Sequence, residues 1–295
     1  MCEISIVIPT LNRYDCLKDT IKDLHNQSVQ NFEIIIIDQT DKDIAQEIKG
    51  DKIFYILQEE KSASKARNRG LINSKSEIVL FLDDDVIIEN KDFLKNHIEH
   101  YNNPKTSGVS GATLSMDSKF CDILPKKVLK KHIGWIYFPG NYSKPFKIPN
   151  GRSCNLSVRK RFALDIGGMD ERFDKGAYRE ESDFCIRLTK KYGDLIYDPN
   201  CYLIHIGNKT GGIRSWTNTK GIIHPYQHMF GSWYFMFKNL PLYNWPEYSW
   251  RMTRRFILHK KLIKRFYLLL YSILKYIFAL FEFLYYSFKK PILLK

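Results

Sequence analysis

The chain opens with short, wholly apolar runs separated by stretches of helical period. Ile4 to Ile8 is closed by Pro9, Phe32 to Ile37 ends at Asp38, and Ile53 to Leu57 follows. Ile78-Val79-Leu80-Phe81-Leu82 then runs directly into Asp83-Asp84-Asp85. Uninterrupted apolar runs of this length predict strands buried on both faces. Leu17, Ile21 and Leu24 recur at helical spacing between the first two runs, and a short helix is predicted around Ala45. Strands alternating with helices predict an α/β fold, a Rossmann-like, mostly parallel sheet with helices on both faces. Ligands of such sheets bind beyond the carboxyl ends of the strands. The tips Pro9 to Arg13, Asp38 to Asp41 and Asp83 to Asp85 are therefore expected to share one cleft.

Further along, Ser62 to Gly70 reads as a helix that opens on hydroxyls and carries Lys65, Arg67 and Arg69. Residues 115 to 150 lack periodicity and hold Pro125, Pro139, Pro145 and Pro149, which predicts a loop-rich insertion over the cleft. Asn155 to Val158 is a predicted strand, Arg161 to Ile166 a short helix and Gly167 to Glu171 a tight turn. Tyr178 to Asp183 opens a helix whose apolar face is Phe184, Cys185, Leu188 and Tyr192. Tyr202 to Ile206 is a strand carrying His205, followed by the glycine-containing loop Gly207 to Arg214. His224 and His228 are spaced like helical metal ligands, but Pro225 intervenes and no acid accompanies them, so they read as structural.

The chemistry concentrates where the pattern turns acidic. Three adjacent aspartates raise one another's pKa and destabilise the chain unless a cation or donors sit among them. Hard oxygen ligands suit Mg²⁺ or Mn²⁺, which carboxylates share with substrate phosphates. A helix N-terminus with three cations next to that strand offers a place for phosphate. Glu181 shares the buried side of its helix with Phe184 and Cys185, in the first turn, where the helix dipole keeps a carboxylate ionised and able to accept a proton. Asp183 and Arg187, at i and i+4, form a structural pair.

Composition changes the picture mainly at the C-terminus. The net charge of the 295 residues is +14, yet residues 251 to 295 hold eleven Lys or Arg against the single acid Glu282. That segment is otherwise rich in Leu, Ile, Phe and Tyr, a combination that points to an anionic membrane surface and not to nucleic acid. Phe266 to Phe288 is long enough to span a bilayer. Lys261, Lys264, Lys275, Glu282 and Lys289 nevertheless fall on one narrow helical stripe, which favours an amphipathic helix lying in the headgroup plane. Packing of this segment on the rest of the chain is the less favoured arrangement, because so much apolar surface would need cover. Six cysteines without a Cys-x-x-Cys pair indicate neither a zinc site nor a disulfide framework. The first strand begins within four residues of the start, which leaves no room for a signal peptide and predicts a cytoplasmic location.

Taken in order, Ile8-Pro9-Thr10-Leu11-Asn12-Arg13, the strand ending in Asp38, Ala66 to Gly70, Leu82 to Asp85, Gly167 to Phe173 and Arg179 to Asp183 resemble family 2 glycosyltransferases of the GT-A fold. The resemblance implies a nucleotide-sugar donor, a divalent metal (Mn²⁺ or Mg²⁺) and inversion at the anomeric carbon. It places Pro9, Thr10, Asn12, Arg13, Asp38, Arg67, Asp83 and Asp84 around the donor, with Thr10 and Asp38 at the nucleoside and Arg67 at the phosphates. It makes Asp83, Asp85 and His205 the metal ligands, and Glu181 the base. The family's catalytic pair ends in Asp where this chain has Glu, so Glu180 stays a second candidate. Two acids often follow the family's second strand, but here Gln39 follows Asp38, leaving UDP, GDP and dTDP open with UDP favoured.

The expected organisation is a catalytic unit at 1–215, divided into a donor half at 1–114 and an insertion and acceptor half at 115–215. An aromatic helical connector at 216–250 and a membrane-binding tail at 251–295 follow. The expected acceptor is a cell-surface glycan or a lipid-linked oligosaccharide, reached at the cytoplasmic membrane face. A nucleotidyltransferase would want glycine after the first strand, and Pro9 to Arg13 has none. A silent nucleotide-sugar or glycan-binding subunit would be expected to lack the acids, and they are present.

Overall fold

The computed structural model describes residues 2–41, 47–48, 50–124, 128, 138–173, 178–207, 211–212, 223–258, 260–287 and 289–294. The helix expected around Ala45, Pro125 of the insertion, and Asn208 to Thr210 with Ile213 and Arg214 lie outside them. The four apolar runs form β1 (Ile4–Thr10), β2 (Phe32–Asp38), β3 (Ile53–Leu57) and β4 (Ile78–Leu82), parallel and in the order β3-β2-β1-β4. Alternate residues of β2 enter two different cores. Ile34 and Ile36 pack with Leu17, Ile21 and Leu24 of α1 (Tyr14–His25), while Ile35 and Ile37 pack with Ala66 and Leu71 of α2 (Ala63–Asn73). A strand with helices on both faces has no solvent side, which is why its sequence shows no alternation.

Downstream come β5 (Val86–Ile87), α3 (Phe93–Glu99), β6 (Gly108–Ser115), β7 (Phe146–Ile148), β8 (Asn155–Arg159), α4 (Lys160–Asp165), α5 (Glu180–Tyr192) and β9 (Leu195–His205). They extend the sheet from β4 in the order β8-β6-β9-β5, with β7 also on β9. β6 and β9 are parallel, whereas β8 runs antiparallel to both β4 and β6. Phe184 of α5 meets Phe81 of β4 edge to face at 6.0 Å. That contact sets the carboxylate-bearing helix against the strand that ends in three aspartates.

The C-terminal part folds as α6 (Tyr226–Asn239), α7 (Trp245–Phe256), α8 (Lys260–Ile263) and α9 (Phe266–Ser287) around a third core that includes Phe173, Trp233, Phe235, Phe256, Ala279 and Phe283. The tail packs on the rest of the chain, the arrangement that the sequence disfavoured. One face of α9, through Ser272, Ala279 and Phe283, is buried against its neighbours. Its charged stripe lies at the edge of that packed face: Glu282 accepts from the Tyr226 hydroxyl and Lys275 donates to His224 O. The opposite face, with Phe266, Leu274, Phe278 and Phe281, is exposed. α9 remains long and apolar enough to cross a membrane by length and composition.

Candidate active site

The expected strand tips meet. Gln39 N–H donates to Thr10 O at 3.0 Å, Asn12 N–H to Thr40 Oγ1 at 3.0 Å, and the Thr10 hydroxyl to Asp84 Oδ2 at 2.7 Å. Among the described residues only Asn12 (φ 56°) and Arg179 (φ 86°) are non-glycine residues with left-handed backbone. Both sit at turns that form the site, where such strain is usually held in place by surrounding contacts. Gly211 crosses over the β1 tip and accepts from Arg13 Nη2 at 3.3 Å. A Cβ there would lie 2.5 Å from Arg13 Cγ and 2.6 Å from Asn12 O, so the approach requires glycine.

β5 pairs antiparallel with β9, setting Val86 opposite His205, and Ile206 N–H donates to Asp85 O at 3.0 Å. This register delivers His205 Nε2 to 3.3 Å from Asp85 Oδ1 and 3.5 Å from Asp83 Oδ2. One ligand atom from each of Asp83, Asp85 and His205 lies within 4.8 Å of the others. Two carboxylates and an imidazole gathered this closely fit a divalent cation of the Mn²⁺ or Mg²⁺ type. Hydrogen bonds that His205 donates to the Asp83 and Asp85 carboxylates raise its pKa to about 9.

Asp84, in the bend between β4 and β5, turns the other way, toward Thr10 and Arg13. Burial raises its pKa to about 7, against the Thr10 hydroxyl and Arg13, while Asp85 and Asp83 add to the rise. Arg13 Nη1 lies 2.9 Å from Asp85 and 3.3 Å from Asp84, compensating part of the acidic charge. Asp38 is fully buried, with its carboxylate accepting from Thr40 N–H at 2.9 Å and the Tyr55 hydroxyl at 2.7 Å. Pro9 faces Ile37 in the β1–β2 register. Thr10, Asp38 and Asp84 thus brace the walls of the cleft in this conformation.

Arg67 joins the two acidic groups. It is 5% exposed, with Nη2 3.1 Å from Asp83 Oδ1 and Nη1 3.9 Å from Glu180 Oε1. Its Nε and Nη1 are buried without a hydrogen-bond partner among the described residues. Unmet guanidinium donors between carboxylates fit the oxygens of a diphosphate. The expectation that Lys65 and Arg69 would join Arg67 is corrected: Lys65 pairs with Glu60, and Arg69 donates to Leu57 O at 3.0 Å. Residues two apart on a helix point to different sides.

Glu181 is held from another direction. Its Oε2 accepts from Ser153 N–H at 3.0 Å and Ser153 Oγ at 2.9 Å. Sequence reasoning missed Ser153, which carries no signal beyond preceding a strand by two residues. The charges of Asp83 and Glu181 both act on the Cys154 thiol, after burial the main influence raising its pKa to about 12.

The profile of Glycosyl transferase family 2 matches residues 5–165. An uncharacterized glycosyltransferase of Rickettsia bellii is 30% identical over 216 residues, 66% of this chain and 31% of that protein. The GalNAc(5)-diNAcBac-PP-undecaprenol beta-1,3-glucosyltransferase of Campylobacter jejuni is 33% identical over 93 residues, 29% of this chain and 30% of that protein. The chain thus spans about a third of the length of these relatives. Among solved structures, a mannosyltransferase of Pyrobaculum calidifontis in complex with GDP-Man and Mn²⁺ superposes with a TM-score of 0.57 at 14% identity, covering 98% of this chain and 76% of that one. That likeness concerns the fold, a mixed α/β sheet of GT-A type. Because the family profile covers more than half of its length, including β1, α2 and the triple aspartate, the chain belongs to glycosyl transferase family 2.

Proposed function

We propose that the protein is an inverting, metal-dependent glycosyltransferase that moves a sugar from a nucleotide-sugar donor, most simply a UDP-sugar, to a hydroxyl of a surface glycan or lipid-linked oligosaccharide. The observation that carries this reading is Arg67, nearly buried between Asp83 and Glu180 with two unmet donors. It supports one cleft with a diphosphate-gripping side and a proton-accepting side. Asp83, Asp85 and His205 would hold Mn²⁺ or Mg²⁺, which when bound neutralises charge on the donor diphosphate.

The protein groups then divide the work. Arg67 takes the leaving diphosphate oxygens through its free N–H groups, favouring the charge that grows as the sugar–oxygen bond breaks. Glu181 accepts the acceptor hydroxyl's proton as that oxygen bonds to the anomeric carbon from the face opposite the leaving group. Glu180 lies 3.9 Å from Arg67 Nη1, on the side that faces the leaving diphosphate. Glu181 is held by two neutral donors of Ser153 in an orientation suited to a base. Asp38 lines the nucleoside end, and Arg13 with Asn12 and Gly211 closes the side near β1.

We further infer attachment to the cytoplasmic face of an anionic membrane through the exposed aromatic face of α9 and the basic residues around it. Because α9 packs along one side on the protein body, it presents only its outer side to lipid, and the attachment is monotopic. Incubating the protein with Mn²⁺ and a panel of nucleotide sugars, then measuring nucleotide release, tests the enzymatic reading. Release from one donor supports it and identifies the sugar, whereas silence with every donor at high enzyme concentration contradicts it.

A further inference from the structure

Between α5, α6, α7 and α9 lies a half-buried group of basic and aromatic side chains that the cleft does not use. Arg255 donates from Nη1 to the Tyr178 hydroxyl at 2.6 Å, with its guanidinium 4.6 Å from that ring centre and 5.9 Å from the Phe256 ring centre. The Tyr178 ring lies 5.6 Å from His228, the two histidine rings are 6.4 Å apart, and His224 meets Phe256 edge to face at 5.0 Å. The circuit from Arg255 through Tyr178, His228, His224 and Phe256 therefore closes on itself. Lys275 adds its ammonium, 3.4 Å from His224 O.

Among the described residues no carboxylate balances the charge of this group. Among the described residues neither Arg255 nor Lys275 forms an ion pair with a carboxylate; they donate to the Tyr178 hydroxyl and to His224 O. Glu282, the acid of α9, is engaged by the Tyr226 hydroxyl. Burial alone lowers the Lys275 pKa. Partly buried cations without a counter-charge are unfavourable until an anion arrives.

Position narrows the choice of anion. Tyr178 directly precedes Arg179, the left-handed residue that caps α5, and Glu180 and Glu181 follow at once. On the other side, Lys275 flanks the exposed apolar face of α9. A molecule with an apolar chain, a phosphate head and a sugar beyond the head would lay its chain along α9, its phosphates at Arg255 and Lys275, and its sugar toward Glu181. We propose that this group binds the diphosphate of a lipid-linked acceptor. The assignment rests on the glycosyltransferase reading for its purpose, though not for its measurement.

Flotation of the full-length protein with phosphatidylcholine vesicles tests it in the absence of any donor sugar. One set carries polyprenyl diphosphate and the other carries phosphatidylglycerol at equal total charge. Charge-assisted contacts to a diphosphate predict about tenfold tighter binding to the first set. R255Q and K275Q each bring that preference toward unity, K275R keeps it, and a wild-type thermal transition in all three variants shows that folding is intact. Equal binding to both vesicle sets overturns the proposal in favour of general headgroup attraction, as does an undiminished preference in R255Q and K275Q. Inorganic pyrophosphate that abolishes the preference as effectively as soluble polyprenyl diphosphate assigns the site to free diphosphate and overturns the lipid assignment. A protein inactive toward every nucleotide sugar would remove the enzymatic reading while leaving the vesicle result standing.

Discussion

Replacing Lys238 by methionine should show how firmly the C-terminal helices are tied to the catalytic part. The Lys238 ammonium lies 2.7 Å from Asp170 and 2.9 Å from Asp183, whose side chains are fully buried. Asp170 belongs to the turn before α5 and Asp183 to α5 itself, so one lysine of α6 spans both. After the substitution Asp183 keeps Arg187 at 2.9 Å and Asn239 at 2.9 Å, and Asp170 keeps the Tyr234 hydroxyl at 2.7 Å. Removing one partner of a buried pair typically costs about 3–5 kcal/mol, and these remaining donors put K238M near the lower end. At roughly 2–4 °C per kcal/mol for a chain of this size, the melting temperature should fall by about 6–12 °C.

The pH dependence of that loss has a definite sign. Burial raises the Asp170 carboxyl, but Lys238, the Tyr234 hydroxyl and the Arg172 amide outweigh it and hold it below the ordinary 3.8. A depressed folded-state pKa contributes stability that is complete above the unfolded value and is lost as pH falls through the folded one. The difference between wild type and K238M in urea unfolding should therefore be full at neutral pH and shrink below about pH 4. A loss under about 1 kcal/mol, the scale of a surface ion pair, would refute the reasoning, as would a difference that grows on acidification.

Three further outcomes are expected. R67M removes the donors next to Asp83 and should weaken nucleotide-sugar binding, measured by calorimetry, by about 10-fold or more. D85A should reduce Mn²⁺ affinity, read by titration of the paramagnetic ion without any substrate, because one of three gathered ligands is gone. L274E with F278E places charge on the exposed face of α9 and should lower binding to anionic vesicles, while the melting temperature changes little because both side chains are exposed.

β1, β2 and β4 could be read from the sequence because they are buried along nearly their whole length and hold few polar positions, and β3, an edge strand with Phe54 and Leu57 exposed, is legible as an apolar run alone. β6 could not. Gly108 to Ser115 is built of small residues because a Cβ at Gly111 would fall 1.9 Å from Cys201 O and 2.3 Å from the Asn155 amide, so close packing there removes the bulky side chains that mark a strand. The start of β9 was hidden by Pro199, which lies within the strand near the register shift against β6.

At the candidate site the sequence showed which residue types would matter, and the partners came from the fold. His205 reaches Asp85 through the β5–β9 register, and Glu181 is oriented by Ser153, far away in sequence. Composition and helical angle together point the tail's charged stripe at lipid. Angle places residues on one face but does not say which face another helix covers, and here Tyr226 and His224 meet that stripe.

The division of labour between the two glutamates is tested most directly by comparing turnover of E181Q and E180Q with the donor that the wild-type protein uses. General-base removal predicts that E181Q loses at least about 10²-fold in kcat with donor affinity unchanged, while E180Q retains more of the rate. Wild-type turnover by E181Q would contradict the account.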